Sequence, residues 1–309
     1  EGWLGLVSHE QFHAWNVKRL RPEALGPFDY EHERYTEDLW IAEGFTSYYD
    51  DVLLARAGLI DADTWVERMG KNIARLADTP GRLEQPVSRA SYDAWIEFYR
   101  ADENSVNTAI SYYTKGAVIA WLIDTTIRQN TNGKRTLDDA MRLAYTHYAG
   151  EKGYSSAQFR EVLSEVAGVD LSEDLHTWVD TATELDLAST VAHYGLELVP
   201  PEDEEREAWI GAGFSGDRVT SVLRDSPAWR AGLQVHDELL AVDSHRLTDA
   251  KTVFSRYEPG ATVTLLVSRR GQIRELEATL AKSPMKLELK RDETNKKGAR
   301  RLNALLGID

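Results

Sequence analysis

The chain has 309 residues, enough for two domains of roughly 100–200 residues each. Its 51 acidic and 36 basic residues give a formal net charge of -15, so we expect no nucleic-acid partner and no binding to anionic membranes. The absence of cysteine excludes thiolate metal sites, cysteine nucleophiles and disulfides. No run approaches the ~18 consecutive apolar residues of a membrane span, so none is predicted.

Residues 1–195 carry helical patterns throughout and predict an all-α unit. Apolar residues within 4–15 recur at three- to five-residue steps in a first helix, which we expect Pro22 to end. A second helix is predicted over 36–58. The segment 111–129, "SYYTKGAVIAWLIDTTIRQ", is apolar on nearly every side, which predicts a buried third helix.

The composition and the pattern of apolar residues change after residue 195. The acidic "PPEDEERE" indicates a solvated linker, predicted over 196–207. Short β-branched runs such as "DRVTSVL" and "ATVTLLVSR" then predict a small, mostly β domain over 208–282. Eight basic residues between Lys282 and Arg301 indicate that 283–309 is a basic C-terminal tail, either mobile or a short helix.

The first predicted helix contains "SHEQFHAWNVKRLRP", in which His9, Glu10 and His13 form an HExxH pattern. Two histidines four residues apart on a helix lie about 40° around its axis and ~6 Å along it, so both imidazoles can bind one ion at ~2.0–2.1 Å. Glu10 is rotated by about 100°, which keeps it off the metal but near a bound water. This arrangement indicates a zinc hydrolase. The alternative is a pair of histidines on an exposed helix surface, which has the same sequence pattern without a metal.

A zinc site of this kind needs a third protein ligand, commonly a glutamate on the next helix. Glu43 in "LWIAEGFTSYYDD" follows His13 after 29 intervening residues. Leu39 and Trp40 indicate a buried setting, where an unpaired carboxylate costs several kcal/mol unless a cation neutralises it. Glu43 is therefore the predicted third ligand, the alternative being a solvated or arginine-paired glutamate.

Three long segments carry a family resemblance: "HEQFHAWNVKRLRP", "FDYEHERYTEDLWIAEGFTSYYDD" and "YYTKGAVIAWLIDTTIRQNTNGKRTLDDAMR". They resemble the glycyl aminopeptidase family, bacterial metallopeptidases with a PDZ domain after the catalytic domain. The shorter patterns WxxEGF and YxKGA resemble, more distantly, the aminopeptidase N family in the thermolysin-like gluzincin clan. The resemblance implies a multidomain protein, α plus mostly β, in which an all-α thermolysin-like C-terminal catalytic subdomain precedes a PDZ-like domain.

The same resemblance implies a zinc aminopeptidase acting on a peptide or protein substrate with a small N-terminal residue such as Gly or Ala. His9, His13 and Glu43 match the ligands of one Zn2+ ion. Glu10 matches the general base, which takes a proton from a zinc-activated water and passes it to the leaving amine.

Two further residues are assigned by position. Tyr113, in "YYTKG", matches the tyrosine that donates a hydrogen bond to the tetrahedral oxyanion in the aminopeptidase N relatives. Tyr112 is adjacent and is an alternative, as is the reading in which both tyrosines simply pack a buried helix. Asp50 lies seven residues after Glu43, where it orients a ligand histidine or is an ordinary acid near the helix end.

The β domain carries "SPAWRAGLQVHDELLAVDSHRL", which resembles a PDZ signature with His236 in place of the usual glycine. "WIGAGF" corresponds to the loop and strand with which PDZ domains receive a peptide C-terminus. The predicted peptide-binding residues are therefore Gly211, Ala212, Gly213 and Phe214. The alternative is that Phe214 and Ile210 belong to the core of the domain.

This chain departs from the family pattern at one point. In these peptidases a β-rich region precedes the HExxH helix and holds the substrate backbone and the free amine, whereas this chain begins eight positions before His9. We therefore expect a fragment with the metal site intact and with reduced or no activity. The alternatives are a PDZ-type peptide-binding module on a helical scaffold without catalysis, and an endopeptidase with an opened cleft.

Overall fold

The computed structural model describes residues 2–200 and 206–308. Apolar side chains form two separate cores, one in a helical unit and one in a β domain. None of the helices within the described ranges is long and apolar enough to cross a membrane. The helices of the helical unit are α1 Gly2–Phe12, α2 Thr46–Arg56, α3 Ala62–Ala77, α4 Val87–Tyr92, α5 Ser105–Thr108, α6 Tyr112–Asn130, α7 Leu137–Tyr148, α8 Ser156–Ala167, α9 Ser172–Leu175 and α10 Ala188–His193.

Helix α6 is the centre of the helical unit. Ser111 caps its N-terminus: the Ser111 hydroxyl accepts a hydrogen bond from the Thr114 amide at 3.2 Å. Nearly all side chains of α6 are buried. This agrees with an apolar pattern that runs around the whole helix. Shorter helical turns complete the unit: 3-10 turns at Glu23–Leu25 and Pro80–Leu83, and π-helical turns at Trp40–Phe45, Ala94–Phe98 and His176–Asp180.

The π-helical turn Trp40–Phe45 packs directly on α6 through two glycines. A Cβ atom on Gly44 would lie 2.5 Å from Cα of Gly116, and one on Gly116 would lie 2.7 Å from the Trp40 carbonyl oxygen. Because neither position has room for a side chain, the two backbones touch. This contact fixes Glu43, inside the turn, relative to the start of α6.

The first helix is shorter than predicted. It ends at Phe12, and residues 13–20 form turns, so the prediction that Pro22 ends the helix is wrong. The reason is Asn16, which is fully buried and donates hydrogen bonds through Nδ2 to the carbonyl oxygens of Ile41 and Ala42, both at 3.1 Å. These tertiary bonds draw the chain away from the helix axis.

The β domain is a twisted antiparallel sheet in the order β3-β4-β5-β7-β8, with β6 paired to β5 and a separate β2-β9 pair. Its core runs from Ala208 to Leu280. Two short helices, α11 Pro227–Ala231 and α12 Ala250–Phe254, accompany it. The strands are β1 Leu196–Val199, β2 Ala208–Trp209, β3 Ala212–Ser215, β4 Arg218–Val222, β5 Glu238–Val242, β6 His245–Arg246, β7 Thr262–Arg269, β8 Gln272–Thr279, β9 Ala281–Lys282 and β10 Glu288–Arg291.

The last segment of the chain returns to the helical unit. Strand β10 pairs antiparallel with β1, and helix α13 (Lys296–Leu306) places Leu302, Leu305 and Leu306 in the helical core. The structure thus contradicts a mobile tail over 283–309 and agrees with the alternative of a short helix, although this helix packs into the core. The physical reason is that these leucines share one face of the helix and the basic residues occupy the other. The β domain is inserted between two paired strands of the helical unit.

The predicted linker over 196–207 also differs from the structure at its start. Residues 196–199 form strand β1, and Leu196 is buried in the helical core. Residues 201–205 of that prediction lie outside the described residues.

Candidate metal centre

Three polar side chains from two elements converge beside the start of α6. His9 lies on α1, and the helical bond from the His13 amide to the His9 carbonyl (3.1 Å) holds His13 one turn further on. Nε2 of His9 lies 3.1 Å from Oε2 of Glu43, and Nε2 of His13 lies 3.2 Å from the same oxygen. The potential ligand atoms all fall within 4.8 Å of one another. The structure therefore brings the three predicted metal-binding residues together.

The other ring nitrogens of the two histidines are held by separate acceptors. Nδ1 of His9 lies 3.2 Å from Oδ2 of Asp50, and Nδ1 of His13 lies 3.0 Å from the main-chain oxygen of Asn16. In the neutral form of each ring, which is the form that binds a metal, an acceptor at Nδ1 favours the proton on that nitrogen and leaves the lone pair on Nε2. Both rings therefore present Nε2 to the same point.

The charges of the cluster are strongly coupled. Burial would lower the pKa of His9, but its hydrogen bonds with Asp50 and Glu43 outweigh that effect and raise the pKa to about 10. Burial would raise the pKa of Glu43, but hydrogen bonds from His13 and His9 hold it at about 2. Opposed by burial, the bond to Glu43 also raises the pKa of His13. The ionised Glu43 thus lies against the two imidazole rings and stabilises positive charge on them.

The donor set fits a zinc ion. Two imidazole nitrogens and one carboxylate oxygen form the three-protein-ligand set of catalytic zinc sites, in which a fourth position stays open. The fixed Nδ1 partners match the carboxylate and carbonyl contacts that orient zinc-binding histidines. Asp50 is one of these partners, and Asn16 is the other.

An open cavity of about 600 Å³ lies over the cluster. Glu10 and Tyr113 line it together with His9, His13 and Glu43. Glu10 is exposed to solvent. The predicted base and the predicted hydrogen-bond donor therefore face the same space as the three ligand residues.

The two adjacent tyrosines have different surroundings in the structure. Tyr113 lines the cavity, with its ring centroid 6.2 Å from that of His9, whereas Tyr112 is buried beneath it at a centroid distance of 4.7 Å. Burial and the nearby charge of Glu43 raise the pKa of Tyr113, so its hydroxyl keeps its proton at neutral pH. Tyr113 is the tyrosine placed to donate a hydrogen bond in the cavity.

Sequence reasoning missed two contributors to the cluster. Asn16 acts through its main-chain oxygen, and no side-chain pattern identifies such a contact. Phe28 lines the cavity from the loop after α1, half-exposed. A single aromatic residue in a loop gives no sequence signal of its own.

The four predicted peptide-binding residues lie at one edge of the β domain. Gly211 has φ of +76°, and a Cβ atom there would lie 2.2 Å from Cβ of Ser226, so only glycine suits the turn before β3. Ala212, Gly213 and Phe214 belong to β3, which pairs with β4 on one side and has no strand partner on the other among the described residues. The Phe214 ring lies 6.1 Å from that of Phe254 in α12 and packs against the domain core.

Comparison with known proteins divides the chain in the same way. Residues 2–119 match the family model of the M61 glycyl aminopeptidases, and residues 218–270 match a PDZ domain model. No curated protein matches the sequence. The predicted order, a helical unit followed by a β-rich PDZ-like domain, is confirmed, and the thermolysin-like character of the helical unit stays a prediction.

Among solved structures, the chain is similar to an aminopeptidase N family protein from Idiomarina loihiensis, at 30% identity and a TM-score of 0.89. The match covers 99% of this chain and 55% of that one, so the present chain spans about half the length of that relative. Two shorter matches cover 27% of this chain: the HtrA-type protease AlgW with a decapeptide (25% identity, 31% of that chain, TM-score 0.25) and the serine endoprotease from Yersinia pestis (26% identity, 32% of that chain, TM-score 0.24).

Proposed function

The chain belongs to the M61 glycyl aminopeptidase family through residues 2–119 and carries a PDZ domain at residues 218–270, and from this premise we propose that it holds a zinc-dependent aminopeptidase site. The proposed substrates are peptides whose N-terminal residue is small, Gly or Ala, as the family description suggests. The observation that carries the proposal is the meeting of Nε2 of His9, Nε2 of His13 and Oε2 of Glu43 beneath an open cavity.

His9, His13 and Glu43 would hold the zinc ion, which when bound supplies Lewis acidity toward water and the peptide carbonyl. Glu10 accepts the proton of the attacking water and later delivers it to the leaving amine. Tyr113 donates a hydrogen bond from its hydroxyl to the oxygen that becomes negative as the carbonyl carbon turns tetrahedral. A donor fixed in advance is worth about 3–4 kcal/mol in that transition state.

The test is metal content together with turnover. The chain, purified without chelator and supplied with zinc, should hold close to one zinc and hydrolyse glycine or alanine p-nitroanilide. Glu10→Gln should keep the metal and lose turnover, because it removes the base without touching a ligand. Glu31→Gln, an exposed glutamate in a loop, is the matched control and should behave as the unaltered chain.

Two outcomes contradict the proposal. Less than about 0.2 zinc per chain would reject the metal site, since a three-ligand site of this kind binds zinc firmly. Turnover that survives Glu10→Gln would reject the assigned base. The chain spans only 55% of the solved relative, so it could bind zinc without turnover. That outcome would favour a second function.

That second function is peptide binding at the PDZ domain. The observation that favours it is β3, an edge strand that begins after the left-handed Gly211 and lies beside α12. Such an edge can pair with an added strand, and the preceding loop can receive a carboxylate. Fluorescence anisotropy with peptides ending in an apolar residue tests it: the free carboxylate should bind and the C-terminal amide should bind far more weakly. Equal binding of the two, or binding of neither, would contradict it.

A further inference from the structure

A buried asparagine links the helical unit to the PDZ domain. Asn107 of α5 is only 1% exposed, and its side-chain amide donates to the Val222 carbonyl oxygen at 2.8 Å and accepts from the Arg224 amide at 2.8 Å. Its second amide hydrogen goes to Oδ1 of Asn104 at 3.0 Å. Asn107 therefore occupies the backbone groups on either side of Leu223 in the way a neighbouring strand would.

On the helical side, the chain leads from Asn107 to the cavity with little freedom. A Cβ atom on Gly81 would lie 2.3 Å from the Ala109 carbonyl oxygen, which shows that the two backbones touch. The Ile110 amide donates to Oε1 of Gln85 at 3.0 Å, and Ser111 then caps α6. Tyr113 follows two residues later. Asn107 and Tyr113 thus lie at opposite ends of a short segment whose residues 109–111 are each held by a contact.

On the PDZ side, the same contact reaches the proposed peptide-binding loop. The amide of Leu223, between the two groups that Asn107 binds, donates to the Gly211 carbonyl oxygen at 2.9 Å. Gly211 immediately precedes β3. The Arg224 side chain also pairs with Glu84, so a charge contact lies beside the amide contact.

We infer that Asn107 is a positioning residue: it fixes the segment that carries Tyr113 against the PDZ loop that opens β3, and so makes the PDZ domain part of the catalytic arrangement. The inference rests on the proposed function, because it assumes the role of Tyr113 in hydrolysis. Loss of the Asn107 amide leaves the Val222 carbonyl and the Arg224 amide without their partner and releases both segments together.

The kinetic test uses the zinc-loaded full chain. Asn107→Ala should lower kcat by roughly ten- to a hundredfold, because a displaced Tyr113 fails in the transition state, while KM changes within about twofold. In a Tyr113→Phe background the same change should have no further effect on kcat. Equal losses in the two backgrounds would show that Asn107 acts otherwise and would overturn the inference.

A matched control separates loosening of the domain contact from displacement of Tyr113. Glu84→Gln breaks the pair with Arg224 but touches neither Asn107 nor the segment that follows it, so kcat should stay within about twofold of the unaltered chain. A tenfold loss in this variant would contradict the assignment to Asn107.

Hydrogen exchange supplies a readout that needs no turnover. Amides of residues 108–113 and of 211–215 should both exchange at least about tenfold faster in Asn107→Ala and remain unchanged in Glu84→Gln. If the chain has no activity, the proposed function fails while this measurement still decides the inference. Unchanged exchange at 108–113 in a folded variant overturns it. Should Asn107→Ala fail to fold, Asn107→Asp, which keeps the acceptor for the Arg224 amide, is judged by the same criterion.

Discussion

Asp50 approaches His9 from the side of the imidazole ring that faces away from Glu43, with Oδ2 of Asp50 3.2 Å from Nδ1 of His9. Helix α2 continues directly from the π-helical turn that carries Glu43, so one continuous stretch supplies both carboxylates. The Ser8 hydroxyl also donates to the Asp50 main-chain oxygen at 2.9 Å, which ties α1 to α2 at this level. The ring of His9 is therefore held between two acidic groups of one element.

Replacing Asp50 should weaken zinc binding without removing a ligand. In Asp50→Asn, the loss of the carboxylate reduces the basicity and fixed orientation of His9, and we expect zinc affinity to fall roughly 10–100-fold. Competition with a chromophoric chelator measures it. Asp51→Asn is the matched control, because the neighbouring Asp51 pairs with Arg68 instead of a histidine. A zinc affinity equally reduced in both variants would show a general effect on α2 and contradict the role of Asp50.

Zinc binding should release protons. The pKa of His9 is raised to about 10, so its imidazole is positively charged at pH 7 in chelator-treated protein. The pKa of His13 is also raised, which adds to the proton release on zinc binding. Glu43, with a pKa of about 2, is already ionised and releases none. Because the metal takes only the deprotonated rings, its affinity should rise with pH from neutral toward pH 10.

Calorimetry in two buffers checks this expectation. The enthalpy of zinc binding at pH 7 should differ between two buffers that do not precipitate zinc, in proportion to their ionisation enthalpies, with about one proton or more released per zinc. In Asp50→Asn, the number released should fall, because the contact that holds the His9 proton is weakened. Identical heats in the two buffers would contradict protonated histidines.

The two adjacent tyrosines should respond differently to the same substitution. Tyr113→Phe removes a hydroxyl in the cavity, and we expect kcat to fall roughly 10²–10³-fold with little change in KM. Tyr112→Phe removes a buried hydroxyl that contacts Tyr99, at 3.5 Å between the two oxygens, and interacts with Tyr113 from outside the cavity, and it should leave kcat within about threefold. Steady-state rates on alanine p-nitroanilide measure both. A larger loss in Tyr112→Phe would reverse the assignment.

The cluster of proposed metal ligands was predictable because the spacing of its residues is local. His9 and His13 share one helical turn, and Glu43 and Asp50 share one face of the next element, so each pair needs only helix geometry to be placed. Asn16 was not predictable, because its contribution is a main-chain oxygen exposed by the early end of α1. That early end depends on hydrogen bonds to residues 25 and more positions away, which no local pattern contains.

The C-terminal segment shows a different limit. The pattern of Leu302, Leu305 and Leu306 was visible in the sequence and indicates one apolar helix face, but the surrounding basic residues favoured a solvated tail. What decided the outcome is the partner surface: β10 pairs with β1, and α13 then reaches the helical core. The return of the chain to the helical unit after the β domain depends on the topology of the whole chain. No pattern within one segment predicts it.

The same helix that carries Tyr113 contains a buried lysine. Lys115 is 1% exposed, and its Nζ has no hydrogen-bond partner among the residues that the structure describes. Burial alone lowers its pKa from 10.5 to about 8. At roughly 1.4 kcal/mol per pKa unit, keeping the proton on this buried amine costs roughly 3 kcal/mol at pH 7.

Lys115→Met should therefore stabilise the chain, since methionine fills a similar volume without a charge. The folded-state pKa lies below the unfolded one, so the unfolded chain binds more protons between pH 8 and 10.5 and stability of the unaltered chain rises across that window. The gain from Lys115→Met should be full below pH 8, roughly 3 kcal/mol, and should vanish by pH 10.5. Urea unfolding at pH 7 and pH 10.5 measures it.

Lys71→Met, at an exposed helix position paired with Glu67, is the control and should change stability by less than about 0.5 kcal/mol at both pH values. A gain that persists unchanged at pH 10.5 would assign the effect to packing and contradict a buried charge.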